Sequence, residues 1–202
     1  MTAKLPPRQL GRKRSSTRAE LSHIALQLFV ERGFEQTTMD DVAAAAGIGR
    51  RTLFRYFPSK NDLPWGDFDD LLTAMRAHLA RVPADQPLVD ALREAIIEFN
   101  RIPTDEVPYH RQRMTLLLTV PTLAAHSTLR YSDWRAVIAE FVAARRGVDI
   151  LSLQPQAMAW AFLGVSISAY ERWLRDDRSD LVELLDSAYD MLGSSFDESR
   201  HR

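Results

Sequence analysis

Apolar residues recur at every third or fourth position along most of the chain, and alternating apolar and polar runs are short. This spacing predicts helices almost throughout. The first helix is predicted over residues 17–32. Gly33 ends it, because glycine commonly follows the last turn of a helix. The apolar face of this helix consists of Leu21, Ile24, Ala25, Leu28 and Phe29.

Two shorter helices are predicted next. Thr38 is a favourable N-cap for the second helix, and Asp41 places a carboxylate near its positive end. The Gly-Ile-Gly sequence at 47–49 predicts a tight turn, after which the third helix runs over residues 50–56. Ser59 is a suitable cap for the helix that follows.

The remaining pattern is one of long helices separated by proline and polar residues. They are predicted at 60–80, 87–100, 107–120, 127–146, 155–175 and 180–192. Pro64 falls near the start of a helix, where proline is tolerated, whereas Pro121 must bend or end the sixth helix. The chain is therefore predicted to be all-α, with a flexible basic arm over 1–15, a three-helix unit over 16–60 and a larger helical domain over 61–202.

Charge is distributed unevenly although the formal net charge is -1. Residues 1–60 contain 11 Lys or Arg and 5 Asp or Glu, whereas the remainder contains 15 and 22. Because residues 1–60 are basic and the remainder is acidic, only residues 1–60 are predicted to face a polyanion. The arm is expected to add phosphate or minor-groove contacts through Lys4, Arg8, Arg12, Lys13, Arg14 and Arg18.

The two helices around the glycine turn have the pattern of a helix-turn-helix, whose second helix enters the major groove of DNA. Arg50 and Arg51 lie at its start, and arginine is the residue that binds guanine with two hydrogen bonds. Thr52 and Tyr56 offer hydroxyls to phosphate, and Lys60 is expected to bind phosphate at the next helix start. Leu53 and Phe57 are expected to face inward. The alternative is a solvated basic turn between core helices.

The segment ALQLFVERGFEQTTMDDVAAAAGIGRRTLFRYFPSKNDL, residues 25–63, resembles the DNA-binding segment of the TetR family of bacterial repressors. The resemblance implies a DNA-facing set of Thr38, Arg50, Arg51, Thr52, Phe54, Arg55, Tyr56 and Lys60. Phe54 stands where the family usually has tyrosine, so one hydroxyl contact to phosphate is absent. Gly49 replaces a small polar residue and weakens the N-cap of the reading helix.

Further stretches resemble actinobacterial regulators found beside mycofactocin biosynthesis genes. They are PSKNDLPWGDFDDLLTAMR, PLVDALREAIIEFNR, VPTLAAHSTLRYSDW and LQPQAMAWAFLGVSISAYERWL. This resemblance extends over nearly the whole chain. It implies a ligand such as a long-chain fatty acyl-CoA or the metabolite of a redox cofactor.

Large apolar residues on several of the long helices are candidates for lining a ligand cavity, with plain core as the alternative. A small-molecule site is a concave, mostly apolar surface with a few polar groups. Arg113, Tyr131 and Arg135 are the expected polar groups, and His110 and His126 are weaker candidates. The apolar candidates are Trp65, Phe68, Leu72, Met114, Leu118, Trp134, Ile138 and Phe141.

Residues 157–169 are apolar or small nearly all round, so a helix here must be covered on both sides. Small residues recur about once per turn at Ala157, Ala161, Gly164 and Ser168. In the TetR family the last two long helices pair with their copies in a four-helix dimer interface, which would include Leu184. The alternative is a central helix within one subunit.

Several classes of function are disfavoured by what the sequence lacks. It has no cysteine, no histidine pair with the spacing of a helical metal site, and none of the nucleotide-binding or hydrolase motifs. We therefore expect no enzyme activity, no metal and no cofactor. The N-terminus lacks the apolar core of a secretory signal, and 157–169 is too short to span a membrane, so a cytoplasmic location is expected.

Together these observations predict a ligand-responsive transcriptional repressor. It would act as a homodimer on a pseudo-palindromic double-stranded DNA operator and leave that operator when an apolar or amphipathic small molecule binds. The alternatives are a non-specific architectural DNA-binding protein and, less well supported, an enzyme on a helical scaffold.

Overall fold

The computed structural model describes residues 17–197, with side chains up to residue 193. The basic arm predicted over residues 1–15 lies outside that range. Within it, the chain forms helices and no strand, which confirms the all-α prediction. The helices are α1 Arg18–Arg32, α2 Met39–Ala45, α3 Arg50–Tyr56, a 3₁₀ helix Lys60–Trp65, α4 Phe68–Leu79, α5 Leu88–Phe99, α6 Val107–Thr119, α7 Pro121–Arg146, α8 Leu153–Leu174 and α9 Leu181–Asp197.

The first three helices begin where local chemistry favours it. Thr17 and Glu20 exchange hydrogen bonds at the start of α1, and Thr38 and Asp41 do the same at the start of α2. Each pair satisfies two backbone N–H groups that would otherwise lack partners at a helix start. Gly33 follows α1 with a positive φ of 87°. These boundaries agree with the predicted ones to within a residue.

The predicted helix over residues 60–80 is wrong as a single element. A 3₁₀ helix ends at Trp65, Gly66 takes a φ of 52°, and α4 begins at Phe68. Pro64 has no N–H to donate, so it suits a short 3₁₀ turn better than an α-helix interior. The break lets the two segments point in different directions.

Pro121 separates α6 from α7, as predicted, but it also starts α7. Proline fits the first position of a helix because its missing N–H would have no partner there. The seventh helix therefore begins six residues before the predicted start at residue 127. The last helix also continues past the predicted end at residue 192, to Asp197.

One continuous apolar core links the three-helix head to the larger domain. Leu21, Leu53 and Phe57 are fully buried within the head, and Leu63 continues the core through the 3₁₀ helix. The 3₁₀ helix packs against α1, α6 and α7, while α7, α8 and α9 pack in sequence. The junction between head and body is thus a packed interface and not a linker.

Candidate functional site

The exposed face of α3 carries the basic and aromatic residues predicted to face DNA. Leu53 and Phe57 are 0% exposed and fix the opposite face onto the head, as predicted. The turn before α3 closes through a 3.0 Å hydrogen bond from the Ile48 N–H to the Ala43 carbonyl. Gly49 provides no side-chain cap. Arg51, Phe54 and Arg55 are exposed, whereas Thr52 and Tyr56 are half-buried.

Several members of the predicted DNA-facing set also have partners within the head. Arg50 forms an ion pair with Asp40, at 3.0 Å between Nη1 and Oδ2. The Thr38 hydroxyl donates to Asp41 at 2.6 Å. Arg51 forms no such contact among the described residues. Its guanidinium can therefore bind a base without first breaking a contact within the head, whereas Arg50 would have to leave its exposed pair with Asp40.

Lys60 was predicted to bind phosphate because of its charge, but in the structure its ammonium contacts the head itself. Its ammonium donates to the Phe34 carbonyl at 2.8 Å and lies 4.2 Å from the centre of the Phe34 ring. The chain after α3 is thereby tied to the turn between α1 and α2. Lys60 thus first stabilises the head, and a phosphate contact would use its remaining N–H groups.

A cavity of about 410 Å³ lies beneath the head. Its wall is mostly apolar and draws on α1, the 3₁₀ helix, α4, α6, α7, α8 and the loop between α5 and α6. The lining residues are Ala19, His23, Trp65, Gly66, Asp67, Phe68, Leu71, Phe99, Asn100, Arg101, Ile102, Pro103, Glu106, His110, Arg113, Met114, Leu117, Tyr131, Trp134, Leu163, Ser166, Ile167 and Tyr170.

Seven of the thirteen residues predicted for the ligand site border this cavity: Trp65, Phe68, His110, Arg113, Met114, Tyr131 and Trp134. The other six do not, and those assignments are corrected. Leu72 and Ile138 are buried in the core, and Leu118 is half-buried against it. The Phe141 ring lies 5.0 Å from the Arg145 guanidinium, and the Arg135 guanidinium stacks on Trp160 at 3.7 Å. Helical periodicity identifies a buried face but not which of its residues adjoin a void.

A chain of hydrogen bonds crosses one side of the cavity. The Tyr170 hydroxyl donates to Asn100 Oδ1 at 2.6 Å and lies 2.9 Å from His110 Nε2. Since the hydroxyl proton is used on Asn100, His110 Nε2–H donates to Tyr170. His110 Nδ1 then accepts from Arg113 Nη1 at 3.5 Å. The chain requires a neutral imidazole with its proton on Nε2.

The environment of His110 agrees with that neutral form. Burial, helped by the nearby charge of Arg113, lowers the pKa of His110 to about 3. Burial also raises the pKa of the Tyr170 hydroxyl. Asn100 and Tyr170 were missed from sequence. The sequence feature that could have identified them is a polar residue at a position of the helix face that is otherwise apolar.

A second polar cluster joins the head to α7. Asp62 Oδ2 accepts from the backbone N–H and the hydroxyl of Ser59, at 3.0 and 2.7 Å. Asp62 Oδ1 accepts from His126 Nε2 at 3.1 Å and from Arg130 Nη2 at 3.0 Å. His126 therefore does not contact the cavity, and Asp62 was missed because its partners are far away in sequence.

The face of α8 predicted to form a dimer is uncovered in the single chain. Ala157, Ala161, Gly164 and Ser168 are all exposed. Trp160 beside them is 55% exposed. A methyl group added at Gly164 would meet no atom within 4 Å. The predicted small-residue row thus lies on an open surface, while Leu184 on α9 is half-buried.

Two family models match the chain. The model of bacterial regulatory proteins of the tetR family matches residues 23–63, and the MftR C-terminal domain matches 86–197. A protein assigned as the mycofactocin biosynthesis transcriptional regulator MftR, from Mycobacterium tuberculosis, is 46% identical over 94% of this chain and 96% of its own length. The chain belongs to the TetR family. It is a transcriptional regulator with a DNA-binding helix-turn-helix.

Solved structures share the fold of this TetR-family regulator. Thermus thermophilus FadR, a TetR-family repressor crystallised with lauroyl-CoA, superposes with a TM-score of 0.56 at 23% identity, over 87% of this chain and 92% of its own. The complex of SmeT with triclosan superposes with a TM-score of 0.61 at 20% identity, over 90% and 91%. TetR-family neighbours of this kind have an N-terminal helix-turn-helix and a C-terminal helical domain.

Two other kinds of site, a membrane-spanning helix and a metal centre, are absent from the described part of this TetR-family regulator. Over residues 17–197, no helix is long and apolar enough to cross a membrane. The same range contains no group of three or more His, Asp or Glu side chains arranged to hold a metal ion.

Proposed function

We propose that this regulator is a ligand-responsive repressor that binds its operator as a homodimer and leaves it when an amphipathic molecule fills the cavity. One observation carries the proposal. The 3₁₀ helix contributes Trp65 to the cavity wall and Asp62 to the hydrogen bonds that hold Ser59, three residues after the reading helix. A ligand that displaces this short helix therefore also displaces the contacts that hold the end of α3 in place.

The reading face is assigned to α3. Arg50 and Arg51 lie at its start and are the candidates for bidentate contacts to guanine. The other proposed contacts serve mainly to position the head on the phosphate backbone. They come from Thr38, Thr52, Phe54, Arg55, Tyr56 and Lys60. With DNA as its partner, the protein is expected to act in the cytoplasm.

A homodimer is proposed from the open face of α8. The row of Ala157, Ala161, Gly164 and Ser168 offers a flat surface on which a second copy of the same helix can approach closely. Helix α9, which carries the half-buried Leu184, packs beside α8. A two-fold axis there makes one surface contact its own copy, as in most symmetric dimers. Two reading helices would then enter successive major grooves about 34–36 Å apart.

The effector is proposed to be an acyl compound, with long-chain fatty acyl-CoA as the leading class. The cavity offers an apolar wall and a few polar groups, and its volume of about 410 Å³ is within the range of small-molecule sites. The likeness to the mycofactocin regulator and the lauroyl-CoA in the related fold of Thermus FadR support this class.

A binding experiment tests the proposal. The operator is first selected from random duplexes, and its affinity is then compared with that of scrambled DNA, with and without dodecanoyl-CoA. We expect the operator to be preferred by at least about a thousandfold and the acyl ligand to release it. Equal binding to all duplexes would instead indicate an architectural DNA-binding protein.

A further inference from the structure

Arg113 lines the cavity and keeps hydrogen-bond donors that have no partner among the described residues. Its Nη1 is held by His110, but its Nε is buried and has no hydrogen-bond partner among the described residues. Nη2 lies beside Gly66 and also makes no hydrogen bond within that part of the chain. Nε and Nη2 form one side of the planar guanidinium, the side that binds two oxygens of a carboxylate at once.

The positive charge of Arg113 is not neutralised by a close partner. No carboxylate of the described residues comes within ion-pair distance of its guanidinium. The two acids that line the same cavity are Asp67 and Glu106. Glu106 is occupied by His23, at 3.0 Å from Nε2, and His110 is neutral. A largely buried guanidinium without a contacting counter-ion is costly, because it has lost water while Glu106 and Asp67 attract it only from beyond ion-pair distance.

The hydrogen-bond chain behind Arg113 holds its free edge in place. Asn100 fixes Tyr170, Tyr170 fixes His110, and His110 accepts from Nη1 only. Since Arg113 has no acceptor atom, everything else it binds must itself accept hydrogen bonds. Trp65 Nε1, a second buried donor on the cavity wall, also has no partner among the described residues.

We propose that Arg113 binds an oxyanion, of the carboxylate type, at one end of the effector, while the apolar body lies against Phe68, Met114 and Trp134. This assignment rests on the proposed ligand-responsive function, but within the acyl class it favours a free fatty acid over an acyl-CoA. A free fatty acid places its carboxylate directly on the acyl chain. In an acyl-CoA that position is an uncharged thioester, and the anionic groups are distant.

The test measures binding of three probes to the full chain by calorimetry: dodecanoic acid, dodecan-1-ol and dodecanoyl-CoA. We expect the acid to bind about 10- to 100-fold more tightly than the alcohol, as for hydrogen bonds to charged groups. Arg113→Met should remove that preference while leaving the affinity for the alcohol nearly unchanged. Arg113→Lys, which keeps the charge but not the fork, should restore only part of it.

Two controls separate recognition from folding. Arg76→Met makes the same change at a surface arginine that pairs with Glu140, and it should leave all three affinities unchanged. The thermal midpoint of Arg113→Met should equal or exceed that of the wild type, because the variant loses an unpaired buried charge. An equal loss of acid and alcohol binding in this variant would overturn the assignment.

The remaining outcomes separate this assignment from the proposed function. If dodecanoyl-CoA binds more tightly than the acid and keeps its affinity in Arg113→Met, the oxyanion site is wrong. The proposed repressor function is unaffected by that result. Acid binding that depends on Arg113 but leaves operator affinity unchanged supports the site and overturns the proposed switch. Failure of the folded protein to bind any of the three probes overturns both.

Discussion

The Asp62 carboxylate lies 3.0 Å from the Arg130 guanidinium and joins the end of the reading helix to α7. Asp62 is 7% exposed, and each of its oxygens accepts two hydrogen bonds. Tyr131, the next residue of α7, and Trp134, one turn further along, line the cavity. The same short seam between the 3₁₀ helix and α7 therefore holds the head and forms part of the ligand site.

Asp62→Asn should weaken this seam. The amide has one acceptor oxygen and no charge, so it cannot replace all four hydrogen bonds. We expect the free energy of unfolding in urea to fall by about 1.5–3 kcal/mol, the value of a hydrogen bond to a charged group. Operator affinity should fall with it, and the ligand should change that affinity by a smaller factor than in the wild type.

Asp69→Asn is the matched control for that substitution. Asp69 also binds Arg130 at 3.0 Å, but its side chain is 61% exposed and does not touch Ser59. Its loss should cost no more than about 1 kcal/mol, as for an exposed ion pair. Equal effects of the two substitutions on stability and operator affinity would show that the buried carboxylate has no special role.

The contribution of Asp62 should also depend on pH in a defined direction. Burial raises its pKa, but hydrogen bonds from Ser59, His126 and Arg130 outweigh burial and bring the pKa below its usual value. Because the pKa of Asp62 is lower in the folded protein than in the unfolded chain, where it is about 4, ionised Asp62 stabilises the fold. That stabilisation is fully present above the unfolded pKa and is lost as the pH falls through the folded pKa.

Unfolding in urea from pH 7 to pH 3 measures this dependence. The difference in stability between wild type and Asp62→Asn should stay nearly constant down to about pH 5 and shrink below about pH 4. A difference that disappears between pH 7 and pH 5 would assign the loss to another titrating group.

Arg51→Ala should weaken operator binding and relax base preference. Arg51 is exposed at the start of α3 and has no contact within the head, so its loss removes a DNA contact without destabilising the fold. The expected cost is about 1–3 kcal/mol on the operator and little on scrambled DNA. Arg146→Ala, an exposed arginine at the far end of α7, is the control. Unchanged affinity of Arg51→Ala for every duplex would remove this residue from the interface.

Gly164→Leu should convert the proposed dimer into monomers that still fold. The added side chain begins in open space within one subunit, because no atom outside the adjoining helix backbone lies within 4 Å of a Cβ at this position. In a close helix pair it would collide with the partner, at a cost of about 1–3 kcal/mol or more.

Light scattering and thermal unfolding distinguish the outcomes for Gly164→Leu. Thr73→Leu adds the same side chain to an exposed position of α4 and should leave the assembly unchanged. A stable dimer of Gly164→Leu would show that this face of α8 is not in close contact with a second copy.

The head was predictable because its signals are local. Thr38 and Asp41 are three residues apart, and Leu53 and Phe57 are four apart, so each pair meets within one turn of helix. The sequence itself contains the caps, the turn and the inward face. The family resemblance adds the expectation that the opposite face meets DNA.

The cavity was only half predictable because it depends on how helices are arranged. Arg113 and Arg135 have similar surroundings in the sequence, yet one reaches the cavity and the other stacks on Trp160. Asp62 and Arg130 are 68 positions apart, and no periodic pattern pairs them. The bend at Gly66 was likewise missed, because a glycine within an amphipathic run does not reveal its own φ.

The most direct test of the account is reciprocal binding of ligand and operator. Affinity for the acyl ligand that binds most tightly is measured on free protein and on the operator complex, following Trp fluorescence. We expect operator DNA to weaken ligand binding by the same factor by which the ligand weakens operator binding. A near-complete switch needs about 5.5 kcal/mol of differential affinity. A ligand that binds free and DNA-bound protein equally well would contradict the account.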